Sequence, residues 1–532
     1  MTATITPYRS ELPAGRDGFA QLLRAEWTKF RTVRGWVIGA VAAALLIVLL
    51  AWLTANGSHS ESCIDGKCTV LKPHVLTGPG GEAVDDSFYF VHQSLSGDGT
   101  VTARLTAFTG RYSPSGAVPV GPNGPVGLQA GLQPWSKAGL IVKASTAQGS
   151  AYAAIMATGD HGVRMQYDYT HDVAGRPGAI GPSSPRWLRL TRSGDTVTGY
   201  DSADGRTWTR VGSAHLSGLP ATVQIGLFTT SPDHTVTESH LGGGSSQGGL
   251  SVATGVFDQV NLQGGSTGAA WAGASVGGGG PAPQPGLGFQ QSDERISVTG
   301  SGDIAPLVGG DAGNGGGQGV ERTLVGAFAG LIVLIVLATL FITGEYRRGL
   351  IRTTLAASPR RGRVLAAKAA VIAAVTFLAG LVAAAVAVPM GEHLLRANGN
   401  SIYPASTLTE VRVIVGTAAL LAVVAVLALA MGAMLRRSAV TVTVVVAGVV
   451  LPYILATAHV LPDGPAQWLM RLTPAAGFAV QQSVVRYAQV SADYSPSNGY
   501  FPLAPWVGFA VLCGYAAVAL ALAAVVIRRR DA

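Results

Sequence analysis

The run CIDGKC, Cys63 to Cys68, carries the most reactive side chains of this 532-residue chain, two thiols on either side of an Asp-Gly pair that favours a tight turn. In an oxidising compartment they predict a small disulfide loop; the alternative is two free thiols. No set of four ligands accompanies them, so a metal site is not indicated. Cys513 lies inside an apolar run and is expected to pack there. Glycoside hydrolysis would need two carboxylates about 5 to 9.5 Å apart across the scissile bond. Between residues 55 and 322 the glutamates are Glu61, Glu82, Glu238, Glu294 and Glu321, and none stands within a strand beside another acid, so this stretch reads as non-catalytic. A phosphate-cradling loop needs Gly-x-x-x-x-Gly-Lys followed by Ser or Thr. None of the Gly-rich stretches supplies that lysine, so no ATPase is encoded here. Asp204 and Gly205 with Trp208 read as a hairpin turn and a packed aromatic. Tyr152, Tyr167 and Tyr169 are candidates for a glycan-binding surface, with filling of a sandwich interior as the equal alternative.

The elements that position these residues follow from where the apolar residues fall. At 48% hydrophobic and 12% charged the chain is too apolar for a soluble protein unless those residues are evenly spread, and they are not. Six runs are long enough to cross a bilayer: Trp36 to Leu53, Leu324 to Phe341, Val364 to Val388, Val413 to Leu435, Ala439 to Ala458 and Trp506 to Ile527. The first reads as an uncleaved span, not a signal peptide, because some 35 residues precede it and no small-residue cleavage site follows. Residues 55–322 hold 15 Lys and Arg against 20 Asp and Glu, and the rest of the chain 22 against 9. The net charge of +8 therefore belongs to the membrane part, and nucleic acid is a poor partner for it.

Arginines and lysines precede the first span, separate the second from the third (Arg347, Arg348, Arg352, Arg360, Arg361, Arg363) and the fourth from the fifth (Arg436, Arg437), and follow the sixth (Arg528 to Arg530). The positive-inside rule then places both termini in the cytoplasm and residues 55–322 outside, in a multi-pass plasma-membrane protein. Lys368 opens the third span and is expected to snorkel to the inner interface, with a transported-ion role as the alternative.

Between residues 86 and 263 short runs such as TVTARLTAF, RWLRLTR and TVQIGLF alternate apolar with polar residues between turn signals, the pattern of an antiparallel sandwich. From Gly242 onward Gly, Ser and Pro dominate, and residues 264–322 read as a flexible tether, with RISVTGSGDIAP as one strand-like piece inside it. The expected fold is a six-helix all-α transmembrane domain with an all-β sandwich, residues 55–263, inserted between helices one and two.

Residues 1–35 form a cytoplasmic N-terminus ending in an amphipathic stretch, GFAQLLRAEWTKFRTVRG, in which Trp27, Lys29, Phe30 and Arg31 suit an interfacial helix on the inner leaflet; an ordinary basic flank is the alternative. Residues 344–363 predict a second amphipathic helix, with Tyr346, Leu350, Ile351 and Leu355 on one flank and Arg347, Arg348 and Arg352 mainly on the other. Such a helix can dock in a partner's groove; alternatively its arginines only set topology.

Two resemblances add to this. The stretch from WSKAGLIVKAS through PRWLRLTRSGDTVTGYDSADGRTWTRVG to QIGLFTTSP looks like a concanavalin-like jelly-roll domain. AEWTKFRTVRGW and GEYRRGLIRTTLAASPRRGRVLAAK resemble the connecting helix and coupling region of bacterial type-2 ABC permeases, and AQWLMRLTPAAGFAVQQSVV their short re-entrant helices. The long insert departs from that family, whose first external loop is usually short. The second resemblance implies an ABC exporter subunit that binds no cofactor itself. Its partners would be a separate ATPase carrying ATP and magnesium, docked on Glu345 to Leu355, and a second permease in a homodimer or heterodimer. The rival reading is a membrane-anchored protein that binds an envelope glycan through the insert.

Overall fold

The computed structural model describes residues 18–529 except 65–66, 71–74, 115–119, 122–123, 126, 182, 241–242, 267–269, 278–285, 293, 309–316, 351–353, 355–359, 459 and 493. Helix α1, Phe19–Thr32, ends at Val33, whose extended backbone (φ −86°, ψ 96°) breaks it from α2, Arg34–Gly57. After the β-rich region come α3 (Ala327–Arg347), α4 (Arg361–Ala397), α5 (Thr407–Leu435), α6 (Ser438–Thr457), the short α7 (Asp463–Leu472) and α8 (Pro505–Arg529). Among the described residues six helices, α2 to α6 and α8, are long and apolar enough to span a bilayer, and all six expected spans fall on them. The third runs further than its apolar core implies, through Pro389 to Ala397.

The bundle packs around α5, which meets α3, α4, α6 and α8. Where lipid replaces water, helices gain little from hydrophobicity and associate by close backbone approach at small residues. Accordingly α2 buries Ala40, Ala43, Ile47 and Ala51 where it meets α3 and α4, and a methyl group on Gly330 of α3 would collide with Ile47. Residues 466–485, the expected re-entrant pair, contain α7 and a 3-10 turn, Pro474–Gln481, of which Ala475 to Gln481 are buried.

The β-rich region lies between α2 and α3 in sequence. A hairpin of β1 (Glu61–Ile64) and β2 (Lys67–Val70) opens it, followed by β3 (Val84–Asp86) and the 25-residue β4 (Phe88–Tyr112). Then come β5 (Lys137–Lys143), β6 (Tyr152–Thr158), β7 (Val163–Tyr167), β8 (His171–Ala174), β9 (Arg186–Ser193), β10 (Thr196–Ser202), β11 (Thr209–His215) and β12 (Thr222–Thr230). The last are β13 (Ser251–Ser266), β14 (Ala272–Val276), β15 (Gly288–Ser292), β16 (Arg295–Gly300) and β17 (Ile304–Pro306). Strand β4 is shared by two layers. Residues 89–96 pair with β12, which continues through β5, β6 and β7 to β8, whereas residues 99–105 pair with β9, which continues to β10 and β11. The layers close face to face on Leu140, Ile155 and Met165 from one and Leu188, Leu190 and Val197 from the other.

The second face of the β5–β6–β12 layer is covered as well, by Val84 and Ile304 of the β3–β17 pair. Every residue of β5 and β6 is therefore buried, and these strands read as continuous apolar runs and not as alternating ones. Two buried lysines fasten the cover. Lys143 Nζ donates to Asp86 Oδ2 at 2.6 Å, and Lys137 Nζ donates to Asp303 Oδ1 at 2.5 Å and to the Ile304 carbonyl at 2.7 Å.

The tether expected over residues 264–322 is corrected by these pairings. Strand β14 pairs with β4, β16 pairs with β13 and carries β15 on its other edge, and β17 pairs with β3, so the sandwich extends to Pro306.

Candidate functional site

The basic ends of the helices gather at one end of the bundle. Arg361 Nη1 donates to the Ile527 carbonyl at 2.9 Å, joining the start of α4 to the end of α8, and the Arg436 guanidinium at the end of α5 lies 4.9 Å from the Tyr346 ring at the end of α3. Here four charged side chains from three helices meet. Lys368 on α4, 1% exposed, donates from Nζ to Glu26 Oε2 at 2.7 Å and to Glu345 Oε1 at 2.6 Å. Lys29 donates to Glu26 Oε1 at 2.8 Å and lies 3.3 Å from Glu345 Oε1. Burial pulls the Lys29 ammonium down, but Glu26 and Glu345 outweigh it and hold the pKa above its usual value. Two acids and two amines leave the cluster neutral, the condition under which charges tolerate burial. Beside it Phe30 packs edge-on to Phe341 at 6.0 Å, and Trp36 packs on the same ring at 5.7 Å. Helix α1 is thereby fixed to α3 and α4.

Lys368 is thus neutralised by two carboxylates, one of them on the amphipathic helix α1. Glu26 is the residue that sequence reasoning missed. The available signal was a lone acid in each of two basic segments, Glu26 and Glu345, together with a lone lysine in the third span.

Of the expected coupling residues, Glu345, Tyr346 and Arg347 form the last turn of α3 and not a separate helix. Tyr346 is half-buried, packed against the bundle core beside the Arg436 guanidinium. Arg347, Arg348 and Leu350 are exposed. With Trp36, Leu340 and Lys29 they line a cavity of about 600 Å³. Ile351, Arg352 and Leu355 lie outside the described residues. On α1, Trp27 and Arg31 face outward, whereas Lys29 and Phe30 turn toward the bundle.

At the opposite end, Cys68 is disulfide-bonded and the β1–β2 register sets Cys63 directly across from it. Tyr152 and Tyr169 are fully buried and meet edge to face at 4.9 Å, and the Tyr169 hydroxyl donates to the Ser150 carbonyl at 3.1 Å. The glycan-surface expectation is corrected for both, since they fill the covered face of the sandwich; Tyr167 stacks on His171 at 4.3 Å and is half-buried. Asp204 accepts from the Arg206 and Thr207 amides at 2.8 Å and so caps the β10–β11 turn, while Arg189 stacks on Trp208 at 3.8 Å. Gln489, between α7 and α8, donates to the Tyr169 carbonyl at 3.2 Å and ties the sandwich to the bundle.

Glu321, just before α3, is buried and accepts from the Ser483 hydroxyl through Oε2, while Oε1 has no partner among the described residues. Burial pushes its carboxyl up to about 7 from 4.5, against the lowering effect of Ser483. Between those values the folded chain holds a proton that the unfolded chain has released, so stability falls as pH rises through that window and levels off above it. Glu321→Gln is expected to flatten this dependence, worth about 3 kcal/mol across the window. Thermal unfolding of the full chain between pH 4.5 and 8 measures it; an unchanged slope in the variant would refute the assignment.

Six spanning helices with a charge-clamped basic end and a sandwich at the other define a multi-pass membrane protein. The model of the ABC-2 family transporter proteins matches residues 137–532, more than half of the chain, and the chain belongs to that family, as a permease component of an ABC transporter. No curated protein matches it. Several solved structures show local likeness, two of them as follows. One is a functionally unknown protein from Saccharomyces cerevisiae, at 17% identity over 39% of this chain and 92% of that one, with a TM-score of 0.21. The other is scytalido-glutamic peptidase with a transition state analog inhibitor, at 11% identity over 41% of this chain and 98% of that one, with a TM-score of 0.25. At such scores neither likeness carries an argument.

Proposed function

We propose that this chain is the membrane half of an ATP-driven exporter, energised by a separate ATPase subunit that binds ATP and magnesium and docks on residues 344–363. Two permease chains, identical or different, would enclose the pathway and alternate access. The observation that carries this reading is the Glu26–Lys29–Glu345–Lys368 cluster. Residues 344–363 connect α3 to α4, and the cluster joins both helices to α1, so a push delivered to that connection is transmitted to three helices at once. The arginine-rich ends support a cytoplasmic location for the termini and this cluster, with residues 55–322 outside a bacterial plasma membrane. The disulfide at Cys68 agrees with an oxidising exterior. Burial of Tyr152 and Tyr169 removes two of the three aromatics on which the glycan-binding alternative relied, and the insert is best read as a jelly-roll ectodomain seated on the pathway's outer end.

The test is reconstitution with a soluble Walker A subunit encoded beside this chain. Vanadate-sensitive ATP hydrolysis that requires both proteins in one bilayer supports the proposal. Hydrolysis indifferent to the presence of this chain refutes it.

A further inference from the structure

The first turn of α4 and the last turns of α8 enclose a cavity of about 900 Å³. Its floor is apolar, with Leu365 of α4 facing Leu520 and Ala524 of α8, and its mouth carries Arg360, Arg361, Arg363 and Arg528. Arg361 is engaged with the Ile527 carbonyl. Arg528 reaches across to α4, where a methyl group on Gly362 would lie 3.3 Å from its Nη2. Among the described residues no carboxylate forms an ion pair with Arg360, Arg363 or Arg528, and the N-cap of α4, Arg360, contributes no side-chain cap to the exposed amides. These exposed guanidinium groups, converging on the positive end of a 37-residue helix, raise the local positive potential and favour an anion there. A topology signal needs arginines in the loop, but it does not need them grouped around one cavity. The floor opens along the exposed sides of Ala366, Ala517 and Ala521, which belong to spanning helices, so an anion with an apolar part matches both halves of the cavity.

We propose that this cavity binds an anionic glycerophospholipid, its phosphate held by Arg360, Arg363 and Arg528 and an acyl chain laid against Leu365, Leu520 and Ala524. Basic pockets between spanning helices recognise such headgroups through general electrostatics. The lipid would bridge the start of the third span and the end of the sixth. The proposal does not depend on the ATPase, because binding belongs to this chain alone.

The full-length chain, delipidated in detergent, is titrated with phosphatidylglycerol or phosphatidylcholine, and bound lipid is read by native mass spectrometry. Wild type should retain phosphatidylglycerol about tenfold more than phosphatidylcholine, and each Arg→Gln change at 360, 363 or 528 should lower retention about fivefold. Ala524→Trp keeps every arginine, fills the floor and should also lower retention, which separates lipid loss from misfolding or inverted insertion. Equal retention of the two lipids by wild type would overturn the proposal, as would undiminished phosphatidylglycerol in the triple Gln variant or in Ala524→Trp. Displacement of the lipid by equimolar inorganic phosphate would overturn it too, reducing the cavity to a simple anion site.

Discussion

Replacing Lys368 with methionine should destabilise the membrane domain by about 3 to 5 kcal/mol, the usual cost of removing one partner from a buried ion pair. The lysine is 1% exposed and touches two carboxylates, whose side chains are only 3% and 12% exposed, so its loss leaves both without their nearest cation inside the bundle. Lys29, at 40% side-chain exposure, can compensate in part, because it already touches Glu26 and Glu345 from the outer side. The triple variant Lys368→Met, Glu26→Gln, Glu345→Gln removes the charges together and should recover most of the lost stability, since apolar or neutral replacements of whole buried ion clusters are often neutral. If the cluster transmits force from residues 344–363, the triple variant should fold normally yet show ATP hydrolysis uncoupled from transport. Thermal unfolding of the purified chain measures the first effect, and reconstituted transport the second. A Lys368→Met protein as stable as wild type would show that the contacts carry no energy.

How much of this was legible beforehand depended on the range of the interaction. The six spans could be read because each is a local apolar run, and the grouping of basic ends because charge alternates from loop to loop. The charge cluster could not, since Lys368 and Glu26 are separated by 342 positions, and a lone acid in a basic segment does not say which distant lysine it meets. The tether failed for a different reason. Glycine in residues 264–322 reads as flexibility, yet a methyl group on Gly273 would lie 2.6 Å from the Phe289 ring and from the Tyr89 hydroxyl, and one on Gly300 would collide with the Thr229 carbonyl oxygen. In these strands glycine permits close approach of neighbouring chain, a role that composition cannot distinguish from looseness. Tyr152 and Tyr169 were ambiguous because one layer of the sandwich is covered on both faces, and no periodicity reports a second covering layer.

Substituting Leu350 and Leu355 together with aspartate should abolish co-purification of the ATPase and its substrate-stimulated hydrolysis, while the bundle and the sandwich stay intact. Leu350 is 48% exposed at the rim of the cavity formed with Trp36 and Leu340, so it has apolar area to give to a partner. Burying a large apolar side chain contributes roughly 1.5 to 3 kcal/mol, whereas an exposed ion pair contributes about 0 to 1 kcal/mol. The leucines should therefore carry more of the affinity than Arg347 and Arg348, and replacing those two arginines with glutamine should weaken association only partly. Because the wild-type arginine contacts would be exposed, added salt should bring wild type toward the arginine variant but leave the leucine effect unchanged. Tyr346, held under Arg436, should contribute through the stability of the α3 terminus and not through the partner, so Tyr346→Phe is expected to leave association unaltered. Pull-down at two salt concentrations, with hydrolysis measured in parallel, separates these contributions. Retained association in the Leu350→Asp, Leu355→Asp protein would mean that residues 344–363 set topology and that the ATPase docks elsewhere.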